Sequence, residues 1–218
     1  MPVLRFENVW KQYYGLNYIL KDINLELDSR DVLLVVGANG SGKTTLLKIC
    51  GGLLAPSRGR VLVNGVNARE PTAKRYIGML LHEPLLYPEL TVLENLKLYA
   101  ELKGARLDDD ILVEILEMLQ LKAYMGKSVR ELSYGWRKRV DVLRALLGRP
   151  KLLLLDEPLS SLDPVGVKAL LKALNMHIDM GSTAILTSPY RVEDISILKG
   201  ELREIMVAKL DEGVLKFE

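Results

Sequence analysis

The stretch Gly37-Ala38-Asn39-Gly40-Ser41-Gly42-Lys43-Thr44-Thr45 limits what this chain can become more than any other. It follows the apolar run Val32 to Val36 and precedes Leu46-Leu47-Lys48-Ile49. A strand, a glycine-rich turn and a helix are therefore predicted in that order. The spacing is G-x-x-x-x-G-K-T, the phosphate-binding loop. Glycines let a backbone wrap closely and turn its N–H groups inward, and the helix behind them adds the positive end of its dipole. In this reading Gly37, Asn39, Gly40, Ser41, Gly42 and Thr45 belong to the cradle. Lys43 reaches β- and γ-phosphates, and Thr44 offers a hydroxyl to Mg²⁺.

A second acidic feature lies far downstream. Leu152 to Leu155 is a short apolar run ending in Asp156-Glu157. A buried strand there delivers Asp156 to the sheet edge, where it can join the Mg²⁺ shell, and Glu157 can polarise an attacking water. Alone, such a run is common. Behind a phosphate-binding loop, with Pro158 next and Ser161-Leu162-Asp163 beyond, it reads as the second half of a nucleotide site.

The rest of the chain predicts an α/β fold in three textures. Val3 to Trp10 and Ile23 to Leu27 alternate as strands, and Arg60 to Val63 with Asn64-Gly65 reads as a hairpin. Arg75 to Leu81 reads as a core strand. Residues 84–148 are helical in pattern, opened by Thr91-Val92-Leu93-Glu94 with capping-box spacing and by acid at Asp108 to Asp110. After Pro150 strands and helices alternate again: a helix over 164–179, a strand over 183–187, a short helix over 192–197, and strands over 202–207 and 213–217. The expected architecture is a P-loop NTPase core with an antiparallel β subdomain and an inserted α-helical subdomain. It forms a single domain over 1–218, with 1–83 and 149–218 as the core and 84–148 as the insert.

Composition removes several alternatives. With 218 residues and 49% hydrophobic content there is enough chain for a sizeable core. Net charge is +2, so no nucleic-acid partner is expected. A single cysteine, Cys50, allows no intrachain disulfide and fits a reducing compartment. No leader-like or membrane-spanning run is visible, and no room is seen for a C-terminal regulatory domain.

With these motifs in place, the sequence resembles the ATPase subunits of ATP-binding cassette (ABC) transporters, and the resemblance covers nearly the whole chain. The parts follow the family's order: phosphate loop, helical insert, Leu132-Ser133-Tyr134-Gly135-Trp136, Asp156-Glu157, Ser161-Leu162-Asp163. The resemblance implies ATP and Mg²⁺ as ligands, with Glu157 and Lys43 as catalytic groups and Thr44 and Asp156 at the metal. It implies that Ser133 and Gly135 contact ATP held by a second such subunit, and that Tyr13 stacks on adenine. Tyr14 is next in line if the alignment slips by one.

The family's signature is L-S-G-G-Q, so Tyr134 and Trp136 depart from the pattern while Ser133 and Gly135 keep it. Two further departures bear on mechanism: His82 stands where the family has glutamine, and Pro189 where it has a histidine that contacts the γ-phosphate. Proline brings neither a side-chain donor nor an N–H. The expectation is intact Mg·ATP binding with slow hydrolysis. The partners implied are membrane-spanning subunits and a second ATP-binding subunit, identical or not, on the cytoplasmic face of the membrane. The stretch Tyr87-Pro88-Glu89-Leu90-Thr91-Val92 resembles exporter-type subunits. Two other readings stay open: a regulatory nucleotide-binding subunit that hydrolyses little, and a soluble non-transport ABC ATPase.

Overall fold

The computed structural model describes residues 1–14, 17–107, 110–160, 162–189, 192–202 and 204–217. Two sheets organise it. The first is antiparallel, in the order β2-β1-β4-β5, from β1 (Leu4–Gln12), β2 (Tyr18–Leu27), β4 (Arg58–Val63) and β5 (Val66–Asn67). Positive φ at Asn64 and Gly65 closes the β4–β5 hairpin that the sequence predicts. The second sheet runs β10-β9-β3-β8-β7-β6, built from β3 (Val32–Gly37), β6 (Ile77–Leu80), β7 (Leu152–Leu155), β8 (Thr183–Pro189), β9 (Ile205–Asp211) and β10 (Val214–Phe217). All its pairings are parallel except β9–β10.

Strand β3 is buried at every position, as a continuous apolar run in a covered parallel sheet should be. Its side chains alternate between two cores. Val32, Leu34 and Val36 face one, and Leu33 and Val35 the other. The first core takes in α2 (Val92–Lys103), α3 (Asp110–Met118), α4 (Tyr134–Leu146) and α5 (Pro164–Asp179). The second joins the antiparallel sheet to α1 (Lys43–Cys50), where Cys50 is fully buried. Burial pushes the Cys50 thiol pKa well up, which suits a packing role.

Helix α2 starts at a true capping box, with Thr91 and Glu94 bonded reciprocally. Asp163 caps α5 by accepting from the Gly166 N–H. Asp108 and Asp109 lie outside the described residues.

Several boundaries differ from the sequence reading, and three of them have a visible cause. Residues Pro71–Tyr76 form a 3₁₀ helix, with Pro71 in its first turn, so β6 begins only at Ile77. β2 extends back to Tyr18. There it leaves strict alternation, and its pairing with β1 is irregular beyond Phe6. Leu202 lies just past α6 (Val192–Glu201), bonding back to Leu198, and β9 starts at Ile205.

Among the described residues the outer side of β6 has no neighbouring strand, and side chains take the place of one. Lys103 donates to Ile77 O at 2.9 Å, Arg144 to Met79 O, and Lys138 to Leu81 O at 2.7 Å. Every second carbonyl thus meets a cation from α2 or α4.

Candidate nucleotide site

The site lies where β3, β7 and β8 end on the same side of the sheet. The phosphate loop leaves β3 and enters α1 through Gly42, which has φ of +105°. A Cβ there would meet Ile19 Cγ2 at 2.8 Å, so conformation and space both require glycine. The first N–H groups of α1 have no carbonyl one turn back and face the loop. Ser41 Oγ is buried without a hydrogen-bond partner among the described residues, as a donor waiting for an anion would be.

Lys43 is buried and folded back onto the loop, donating to Gly37 O at 2.9 Å and Ala38 O at 3.1 Å. Its ammonium also lies 3.9 Å from Glu157 Oε1. Thr44 Oγ1 donates to Asp156 Oδ2 at 2.8 Å. Asp156, itself 2% exposed, accepts at Oδ1 from Thr187 Oγ1 at 2.7 Å. The same hydroxyl accepts from the Glu157 N–H at 3.0 Å. One threonine therefore fixes the acidic pair, and Glu157 turns its side chain toward the loop through a left-handed backbone, φ +46°.

Together Ile19, Asn39, Gly40, Gly42, Lys43, Thr44, Thr45, His82, Asp156 and Glu157 line a cleft of about 360 Å³. Thr44 and Asp156 are hard oxygen donors, side by side, and could hold Mg²⁺ with phosphate oxygens and water completing its shell. Tyr13 stands at the rim, its hydroxyl 3.5 Å from Thr45 Oγ1, while Tyr14 is fully exposed. Of the two tyrosines, Tyr13 is the one beside the cleft.

Ser133 and Gly135 do not line this cleft. Ser133 is the N-cap residue of α4 but accepts no capping bond, and Gly135 lies in the first turn. Ser161 lies outside the described residues. Pro189 ends β8 in register with Gly37, beside the start of the loop. His177 is buried and bonded to Ala173 O, as a structural histidine.

Three contributors escaped the sequence reading. Thr187 is a polar residue following the apolar run Ala184 to Leu186 in β8. The register Leu155 opposite Leu186 puts it next to Asp156. Ile19 carried no signal. Lys138 is fully buried under the cleft. Burial pushes its ammonium pKa down, and the negative charges of Asp141, Asp156 and Glu157 pull it back up.

The family model for the ABC transporter matches residues 20–160. The chain is 35% identical over 226 residues to the ABC transporter ATP-binding protein YdbJ of Bacillus subtilis, covering 99% of this chain and 73% of that protein. It is also 35% identical over 201 residues to the maltose/maltodextrin import ATP-binding protein MalK of Photorhabdus laumondii. That match covers 90% of this chain and about half (54%) of the relative. Among solved structures, the ATP-binding subunit of an ABC transporter superposes with a TM-score of 0.86 at 26% identity, covering 98% of this chain and 88% of that one. A dimeric ATP-binding cassette bound to ADP and Pi, in a post-hydrolysis state, superposes with a TM-score of 0.84 at 25% identity, covering 99% and 97%. A phosphate loop and an acidic strand end meeting at one cleft, in a chain matched along its length, have a single family explanation: this protein belongs to the ABC transporter family, as one of its ATP-binding cassettes.

Proposed function

We propose that this chain binds Mg·ATP in the cleft and hydrolyses it as the energy-coupling subunit of a membrane transporter. The observation that carries the reading is the convergence of the loop, the Thr44–Asp156 pair and Glu157 on one cleft. Thr44 and Asp156 would hold the Mg²⁺, which when bound neutralises charge on the phosphate oxygens. Lys43 exchanges its bonds to Gly37 and Ala38 for bonds to nucleotide oxygens. Gly37, Asn39, Gly40, Ser41, Gly42 and Thr45 shape the cradle, and Tyr13 stacks on the base. Glu157 accepts a proton from the attacking water. The water oxygen bonds to the γ-phosphorus as the bond to the β–γ bridging oxygen breaks, giving ADP and phosphate.

Ser133 and Gly135, away from this chain's own cleft, serve the ATP of a second subunit in a sandwich dimer. The chain works as one ATP-binding domain, with 84–148 as the part that moves against a membrane-spanning partner at the inner face of the membrane. The Tyr87 to Val92 stretch supports an exporter-type assembly, whereas one relative carries an import name. Transport direction measured in vesicles with the membrane partner decides between them.

Pro189 and His82 make hydrolysis slow in this reading. Pro189 also favours a second one, a regulatory subunit paired with a competent ATPase. The test is steady-state ATP turnover with and without Glu157→Gln. Turnover should fall by about 10²- to 10⁴-fold while nucleotide binding persists. A wild-type chain that binds no ATP, or turnover indifferent to Glu157→Gln, would overturn the assignment.

A further inference from the structure

The segment from the end of β6 into the cleft is held mainly by side chains of α4. Lys138 Nζ donates to Leu81 O at 2.7 Å, Tyr134 Oη to His82 O at 2.6 Å, and Asp141 Oδ1 accepts from the Leu85 N–H at 3.2 Å. Positions 134, 138 and 141 are spaced by four and three residues, so they share one face of the helix. Two of the three anchors, Lys138 and Asp141, are fully buried and packed beneath the segment. The third, Tyr134, is 40% exposed and holds the residue that lines the cleft. Tyr134 stands where the family's signature has glycine, and His82 where the family has glutamine. The two departures from the pattern therefore touch each other.

We propose that Tyr134 is a positioning residue: its hydroxyl, bonded to the His82 carbonyl, sets where the His82 side chain stands in the cleft and ties that placement to the N-terminus of α4. The inference rests on the ATPase reading above for its kinetic consequence, but not for the tie itself. Phenylalanine at 134 keeps the ring and removes only the bond. The His82 carbonyl then loses its anchor, and the segment between the two buried anchors opens more often.

The first measurement is amide hydrogen exchange over residues 82–86 in nucleotide-free wild type and Tyr134→Phe. Exchange in the variant should be about two- to tenfold faster, the worth of one ordinary hydrogen bond. Unchanged exchange overturns the tie. The second is turnover of wild type, Tyr134→Phe, His82→Ala and the double variant. Tyr134→Phe should lower kcat by about two- to tenfold with KM for Mg·ATP unchanged, and should add nothing to His82→Ala. Additive losses overturn the claim that Tyr134 acts through His82. A wild-type chain without turnover overturns the ATPase reading instead, and the exchange measurement then decides the tie alone.

Discussion

Pro189 stands opposite Gly37 at the mouth of the loop, so a donor placed there would start from a position beside the cradle. Pro189→His is expected to raise ATP turnover by about 10-fold or more, since a hydrogen bond to a charged group formed only in the transition state is worth about 1.5–3 kcal/mol. Single-turnover hydrolysis of the two proteins checks it, and equal rates would show that the missing donor is not limiting. At this scale the sequence carried most of the site. The loop and Asp156-Glu157 are readable because each residue type answers a fixed chemical need at a fixed spacing. Thr187 and Lys138 are not readable that way. Their roles come from a strand register and a helix crossing, which join positions 31 and 57 residues from the groups they bond.

Among the elements, the outer side of β6 is held by three basic side chains. Burial, with Arg144 adding to it, pushes the Lys103 ammonium down to about 7. An unfolded lysine titrates near about 10.4. The native state therefore carries fewer protons than the unfolded chain between those values, and stability through this side chain rises with pH across that window. Lys103→Met removes the titration. The wild-type advantage in urea-unfolding free energy should grow by about 1 kcal/mol from pH 7 to pH 9, allowing for partial exposure. A pH-independent gap would count against it. The elements best foreseen, α5 and β7, carry clean local signals: an Asp163-Pro164 start in one and an unbroken apolar run in the other. The start of β2 was not foreseen, because its irregular pairing with β1 leaves no two-residue period to read.

The whole molecule is two cores sharing one sheet, with α4 touching both a core and the cleft segment. Ser133 and Gly135 do not line the chain's own cleft, and in the proposed sandwich dimer they serve a second subunit. Glu157→Gln, which should bind Mg·ATP without consuming it, is expected to sediment as a monomer without nucleotide and as a dimer with it. Ser133→Arg added to it should keep the monomer in both conditions. A monomer under all conditions would exclude a self-made sandwich. The sheet edge bears on the same question from another side. A parallel sheet with a bare outer strand invites a strand from another molecule, and open-ended stacking follows. On β6 the row of carbonyls that such a strand would need is already taken by Lys103, Arg144 and Lys138. Backbone templating from that edge is closed off, which leaves any meeting of copies to other parts of the surface.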